Sequence, residues 1–178
     1  MQTVFTIILS ILLLGLSTCS EQQPALPAPQ TGEVTLEAVT YEEWLRKLES
    51  FQGEIVVVDM WATWCIPCIE RFPHMVDLHQ EYAGDGVKFV SMCLNDRDDP
   101  DAIQAAEDFL EKQNATFANY LMDENVLEAF EKLGIFGIPA VYIYDREGNL
   151  RYRLTGDNPN DQFTDADVEE AIVTLIKG

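Results

Sequence analysis

Two cysteines separated by two residues, Cys65 and Cys68, follow directly on an apolar, β-branched run, Val56-Val57-Val58-Asp59-Met60-Trp61-Ala62-Thr63-Trp64. Such a run predicts a buried strand, and the residues after it predict a helix that begins at the cysteines. Residues three apart on a helix share a face, so Cys65 and Cys68 can close a disulfide of ordinary geometry. Cys65 then sits at the positive end of the helix. There the dipole, and N–H groups that lack a helical acceptor, favour a thiolate.

The same spacing occurs in half of a zinc site and in pairs of core cysteines. A zinc site needs two more ligands, and the remaining candidates are Cys19, Cys93, His74 and His79. The histidines stand five apart and face different sides of a helix. No metal is therefore expected, and strand, Trp-Cys, Pro, Cys and helix together favour a redox dithiol. Cys93, between Met92 and Leu94 in an apolar run, reads as a small core residue.

This stretch resembles the thioredoxin superfamily. Asp59, Trp61, Ala62, Trp64, the Pro67 between the cysteines and Pro73 five residues after Cys68 all fall on that family's pattern. A second block, Gly134-Ile135-Phe136-Gly137-Ile138-Pro139, is similar to the loop that carries the family's cis-proline. The resemblance runs from about Glu33 to Gly178. It implies a thioredoxin-like α/β fold: a mixed central sheet of about five strands with helices on both faces, an extra strand-helix insertion, and a C-terminal hairpin plus helix. The insertion and the Pro139 to Gly148 spacing resemble the membrane-tethered TlpA/ResA-like branch. In that branch an acid often stands three residues after the second cysteine, where this chain has Arg71, preceded by Glu70.

The chain of 178 residues is 47% hydrophobic, long enough for one domain with an ample core. Its 31 acidic against 11 basic residues give a net charge of −20, which opposes nucleic acid and anionic membrane surfaces. Ahead of the domain, Val4 to Leu16 form an apolar run suited to a signal peptide over residues 1–18 and too short to span a bilayer comfortably. Leu16-Ser17-Thr18-Cys19 resembles the lipobox of bacterial lipoproteins, which makes Cys19 the expected lipidation site. Residues 19–32 carry Pro24, Pro27 and Pro29 without apolar periodicity and read as a tethering linker. Residues 33–178 form the domain.

Within it, the patterning predicts strands near Glu33–Glu37, Glu54–Met60, Val87–Leu94, Phe117–Met122, Ala140–Tyr144 and Asn149–Thr155. Helices are expected after Thr40, with Trp44, Leu45 and Leu48 as the buried stripe. Others are expected from Cys68 to about Tyr82, kinked at Pro73, near Asp101–Gln113 and Glu124–Leu133, and after Thr164.

Cys65 is expected to attack and Cys68 to resolve, because the first residue of the turn is the more exposed, and exchange runs through a mixed disulfide on Cys65. Trp64 and Ile66 border that sulfur as apolar contact surface, and Pro67 stiffens the turn. Asp59 inside an apolar strand should have a raised pKa; the resemblance implies that it accepts the Cys68 proton. It also implies that the backbone of Ile138, ahead of Pro139, pairs with a substrate chain. No cofactor beyond the Cys65-Cys68 disulfide is implied.

The function expected is that of an exported thiol-disulfide oxidoreductase on the periplasmic side of a bacterial membrane. It would act on protein thiols and disulfides, in cytochrome c maturation for example, as a monomer served by a membrane electron donor. A copper-delivery module on the same dithiol and a thiol peroxidase are the alternatives. Against the peroxidase, this chain lacks the proline that a Pro-x-x-x-Thr/Ser-x-x-Cys pattern requires, since Trp61 stands seven residues before Cys68. A helix terminus worth up to ~2 kcal/mol lowers a thiol pKa from ~8.5 to roughly 7, which predicts a reducing couple.

Overall fold

The computed structural model describes residues 32–156 and 162–178. The expected signal peptide, Cys19 and every linker residue except Gly32 lie outside the described residues. No helix among the described residues is long and apolar enough to cross a membrane.

The chain begins with a short strand, β1 (Glu37–Val39), and a helix, α1 (Tyr41–Ser50). Thr40 and Glu43 close the reciprocal capping box at the start of α1. Strand β2 (Ile55–Trp61) leads through the cysteines into α2 (Ile66–Tyr82). After a 3-10 turn at Ala83–Asp85 come β3 (Val87–Cys93), α3 (Pro100–Gln113), β4 (Ala118–Met122) and α4 (Val126–Leu133). The hairpin β5 (Ala140–Tyr144) and β6 (Leu150–Thr155) and the helix α5 (Asp165–Lys177) complete the domain.

The strands form one six-stranded sheet in the order β1-β4-β3-β2-β5-β6. The six strands agree with the six predicted runs and with a central sheet of about five widened by the insertion; only β1 is shifted, an edge strand of three residues on Glu37–Val39 instead of Glu33–Glu37. Pairing explains the shift, since Glu37 to Val39 align in parallel with Tyr120 to Met122. Strand β4 lies between β3 and β1 and is parallel to both, so the strand-helix insertion widens the sheet. β5 runs antiparallel to β2 and to β6.

Helices α1 and α4 cover one face, with Trp44, Ala129 and Leu133 on Val56, Val58, Met60, Val90 and Met92. On the other face α2 and α5 pack Met75, Leu78, Val168 and Ile172 on Ile55, Val57 and Phe89, and α3 adds Ala106 and Leu110 around Trp61. Every residue of β2 is buried, which is why its sequence is nearly all apolar rather than alternating. Leu45 departs from the expected stripe: it is 40% exposed, because Trp44 occupies the core-facing arc of the short α1.

Strands β1, β4, β3 and β2 all run parallel, so their C-terminal ends share one pole, the pole at which the cysteines follow Trp61. The domain is entered from the other pole. There a Cβ on Gly32 would stand 3.3 Å from Cβ of Thr116, and Asn119 donates through Nδ2 to the Thr35 carbonyl at 3.3 Å.

Candidate active site at the dithiol

Cys65 is the N-cap of α2 and not its first helical residue: it has extended φ and ψ of −91° and 93°, and its carbonyl accepts from the Ile69 N–H at 3.1 Å. Its sulfur therefore stands at the open N-terminus, where the N–H groups of the first turn begin without helical acceptors. Pro67 occupies the first turn, where its missing N–H costs nothing. Pro73, inside the helix as expected, cannot donate to the Ile69 carbonyl.

Cys65 and Cys68 form a disulfide with Cα atoms 5.3 Å apart. Cys65 is 5% exposed and Cys68 1%, so the order of access is the expected one, although the bonded pair is more enclosed than the sequence suggests. Beneath the pair lies an aromatic floor, with Trp61 and Phe72 rings 5.1 Å apart and each about as close to Phe109. Around it the neighbours turn outward: Trp64 is 57% and Ile66 71% exposed.

The second block closes on the same site. Gly134 caps α4 with a left-handed φ of 67°, which turns the chain toward Ile138-Pro139, a cis peptide bond. The Ile138 side chain packs against the cluster that holds both cysteines. Two residues before it, Phe136 is 92% exposed, an apolar surface that the sequence reading missed.

Asp59 is buried on the α2 side of the sheet, in register with Ser91 on β3 and Val141 on β5. The sequence reading left this carboxylate without a basic partner. Its partner is Arg71, whose Nη1 donates to Oδ1 at 2.8 Å, while Nε donates to Asp165 Oδ1 at 3.4 Å. The Arg71 guanidinium also lies 4.7 Å from the Phe163 ring centre. Burial still dominates, raising the Asp59 pKa from 3.8 to about 6 against the pull of Arg71. Asp59 Oδ2 and Arg71 Nη2 are buried without a hydrogen-bond partner.

Arg71 follows Cys68 by one helical turn, so both project from the same side of α2 toward the sheet that carries Asp59. The signal that pointed to this pair was present: a basic residue on the inner arc of a helix packed over a strand with one carboxylate. Cys93 is buried on β3, and burial pushes its thiol up to about 12, in keeping with a core residue. Among the described residues no three His, Cys, Asp or Glu side chains are grouped to hold a metal ion.

Comparison with known proteins gives a consistent kinship. ResA, a thiol-disulfide oxidoreductase of Bacillus thuringiensis subsp. konkukian, is 26% identical over 117 residues, 66% of this chain and 64% of its own. The match thus spans just under two thirds of that relative. HelX, a thiol:disulfide interchange protein of Rhodobacter capsulatus, is 27% identical over 79% of this chain and 74% of its own. Among solved structures, one assigned as the thiol:disulfide interchange protein DsbE of Chlorobium tepidum superposes with a TM-score of 0.59 at 26% identity, over 72% of this chain and 84% of that one. A thiol-disulfide isomerase of Corynebacterium glutamicum shares the fold, with a TM-score of 0.61 at 18% identity over 73% and 85% of the two chains. The Redoxin family model matches residues 25–172, and with that span, a thioredoxin-like sheet and a dithiol at the head of α2, the chain belongs to the redoxin family.

Proposed function

We propose that this chain is an exported thiol-disulfide oxidoreductase that reduces protein disulfides. The observation that carries this reading is the Cys65-Cys68 disulfide at the N-terminus of α2, with a buried carboxylate of raised pKa on the strand below. In the reduced state the Cys65 thiolate attacks a substrate disulfide, giving a mixed disulfide and releasing one substrate thiolate. Cys68 loses its proton to Asp59 and attacks the Cys65 sulfur, which frees the second substrate thiolate and re-forms the intramolecular disulfide. A donor dithiol must then supply two electrons and two protons to restore the pair. Trp64, Ile66 and Phe136 offer the apolar contact surface for an unfolded substrate segment, and Ile138 presents its backbone beside it. The ResA, HelX and DsbE names of the relatives support thiol exchange, and the lipobox at Cys19 supports attachment at the periplasmic face of a membrane.

The test is reduction of insulin disulfides together with titration of the dithiol against a dithiothreitol or glutathione buffer. Cys65→Ser should abolish exchange, and Cys68→Ser should accumulate a mixed disulfide with the substrate. A potential near about −120 mV, at the oxidising end of the known range, would reverse the proposed direction.

A further inference from the structure

Arg71 touches two carboxylates of different character. Asp59 is enclosed, its side chain 3% exposed, whereas that of Asp165 is 42% exposed in the first turn of α5, and the Arg71 side chain between them is 11% exposed. A guanidinium this buried needs an anion beside it. That requirement collides with proton transfer: when Asp59 takes up a proton, the anion nearest Arg71 disappears.

We propose that Asp165 is a positioning residue that serves as the standby counterion of Arg71, so that Asp59 can accept and release the Cys68 proton without leaving the buried guanidinium unpaired. This rests on the proton-acceptor role given to Asp59 above. The geometry favours it in three respects. Asp165 already accepts from Nε, on the side of the guanidinium away from the shorter Asp59 contact. Arg71 Nη2 is a buried donor with no partner, so the guanidinium keeps a hydrogen-bond site in reserve beyond those already given to the two carboxylates. The Phe163 ring, two residues before Asp165, holds the guanidinium plane in place while its partner changes.

The groups beside Asp59 on the neighbouring strands carry no charge. Ser91 on β3 gives its hydroxyl to Asn119 Oδ1 at 2.9 Å, Val141 on β5 is apolar, and Cys68 on α2 is the proton's source. Glu169, further along α5, accepts from the Tyr82 hydroxyl at 2.9 Å. The two neighbours of Asp59 therefore act in opposite senses: Arg71 lowers its proton affinity, and Asp165 raises it.

The experiment follows the Asp59 carboxyl by carbon-13 NMR across pH in the full chain, alongside single-turnover resolution of the Cys65 mixed disulfide. Arg71→Met should move the Asp59 midpoint up by about 1 to 3 pH units, the range for a carboxylate losing a close cation. Asp165→Asn should move it down by a smaller step, with the pH profile of resolution following and the rate of attack by Cys65 unchanged. Arg71→Lys should restore most of the wild-type midpoint. An Asp59 midpoint that stays put or rises in Asp165→Asn overturns the proposal, and that exposed substitution decides the matter even if Arg71→Met fails to fold. A triad that titrates as described in a protein that reduces no disulfide would retain the charge arrangement and reject the enzymatic role instead.

Discussion

The Asn95 side-chain carbonyl accepts the Thr63 N–H at 2.9 Å, and its amide donates to the Ala102 carbonyl at 2.6 Å. One buried side chain thereby ties the loop that delivers the cysteines to the first turn of α3. Asn95→Ala leaves the Thr63 N–H without its acceptor, which should cost about 1 to 3 kcal/mol. Denaturant unfolding measures the loss, and faster hydrogen exchange at Thr63 would locate it.

Asp59 makes stability depend on pH with a definite sign. Its folded pKa of about 6 lies above the unfolded value of 3.8, so the native state binds the proton more tightly. Stability from this group is therefore greatest below about pH 4 and declines as pH rises through about 6. The full decline is up to about 3 kcal/mol, at about 1.4 kcal/mol for each pH unit between the two values. Asp59→Asn should remove this slope. Urea unfolding of both proteins at several pH values between about 4 and 8 is the check, and parallel curves would contradict the assignment.

Trp64 and Phe136 are exposed apolar side chains at the site and add little to the core. Replacing either by Ala should leave thermal stability within about 0.5 kcal/mol, as for most surface changes. Activity toward an unfolded protein disulfide should nevertheless fall about tenfold, the roughly 1.4 kcal/mol that burying about 55 Å² of apolar surface provides. A small aromatic disulfide reagent should react as before. Equal loss with both substrates would place these residues in the chemistry itself.

Cys93 is 0% exposed and its thiol is pushed up to about 12 by burial. In the reduced native protein, alkylation near about pH 8 should label Cys65 at once and spare Cys93 until the chain unfolds. Site-resolved mass spectrometry reads this directly, and native labelling of Cys93 as fast as of Cys65 would contradict its core position.

What the sequence made legible was local and periodic. The all-apolar β2, the Thr40 and Thr164 capping boxes and the strand-to-helix passage at the cysteines each depend on residues close together in the chain. The cis Ile138-Pro139 bond was implied only by the resemblance of its block to the thioredoxin superfamily's loop, not by the residues themselves. The hidden parts depend on distant residues. Arg71 reaches Asp59 across twelve positions and Asp165 across ninety-four, and only the packing of α2 and α5 on one face joins them. β1 was misplaced because three residues hold too little pattern, and its register is set by β4 more than eighty residues later.

The place where the chain enters the sheet, Gly32 beside Thr116, lies at the pole opposite the dithiol. With a lipid at Cys19, the anchor would lie at one end of the domain and the cysteines at the other. Seven residues of β2 add about 23 Å of height at ~3.3 Å each, and the linker from Ser20 to Gly32 adds up to about 40 Å when extended. A donor whose thiols stay at the level of the lipid headgroups would be out of reach of an upright domain. With such an anchor and a membrane donor, either the donor would lift its thiols well above the bilayer or the domain would tip over on its tether at each turnover, and in both cases clearance would join affinity in deciding which partners can meet.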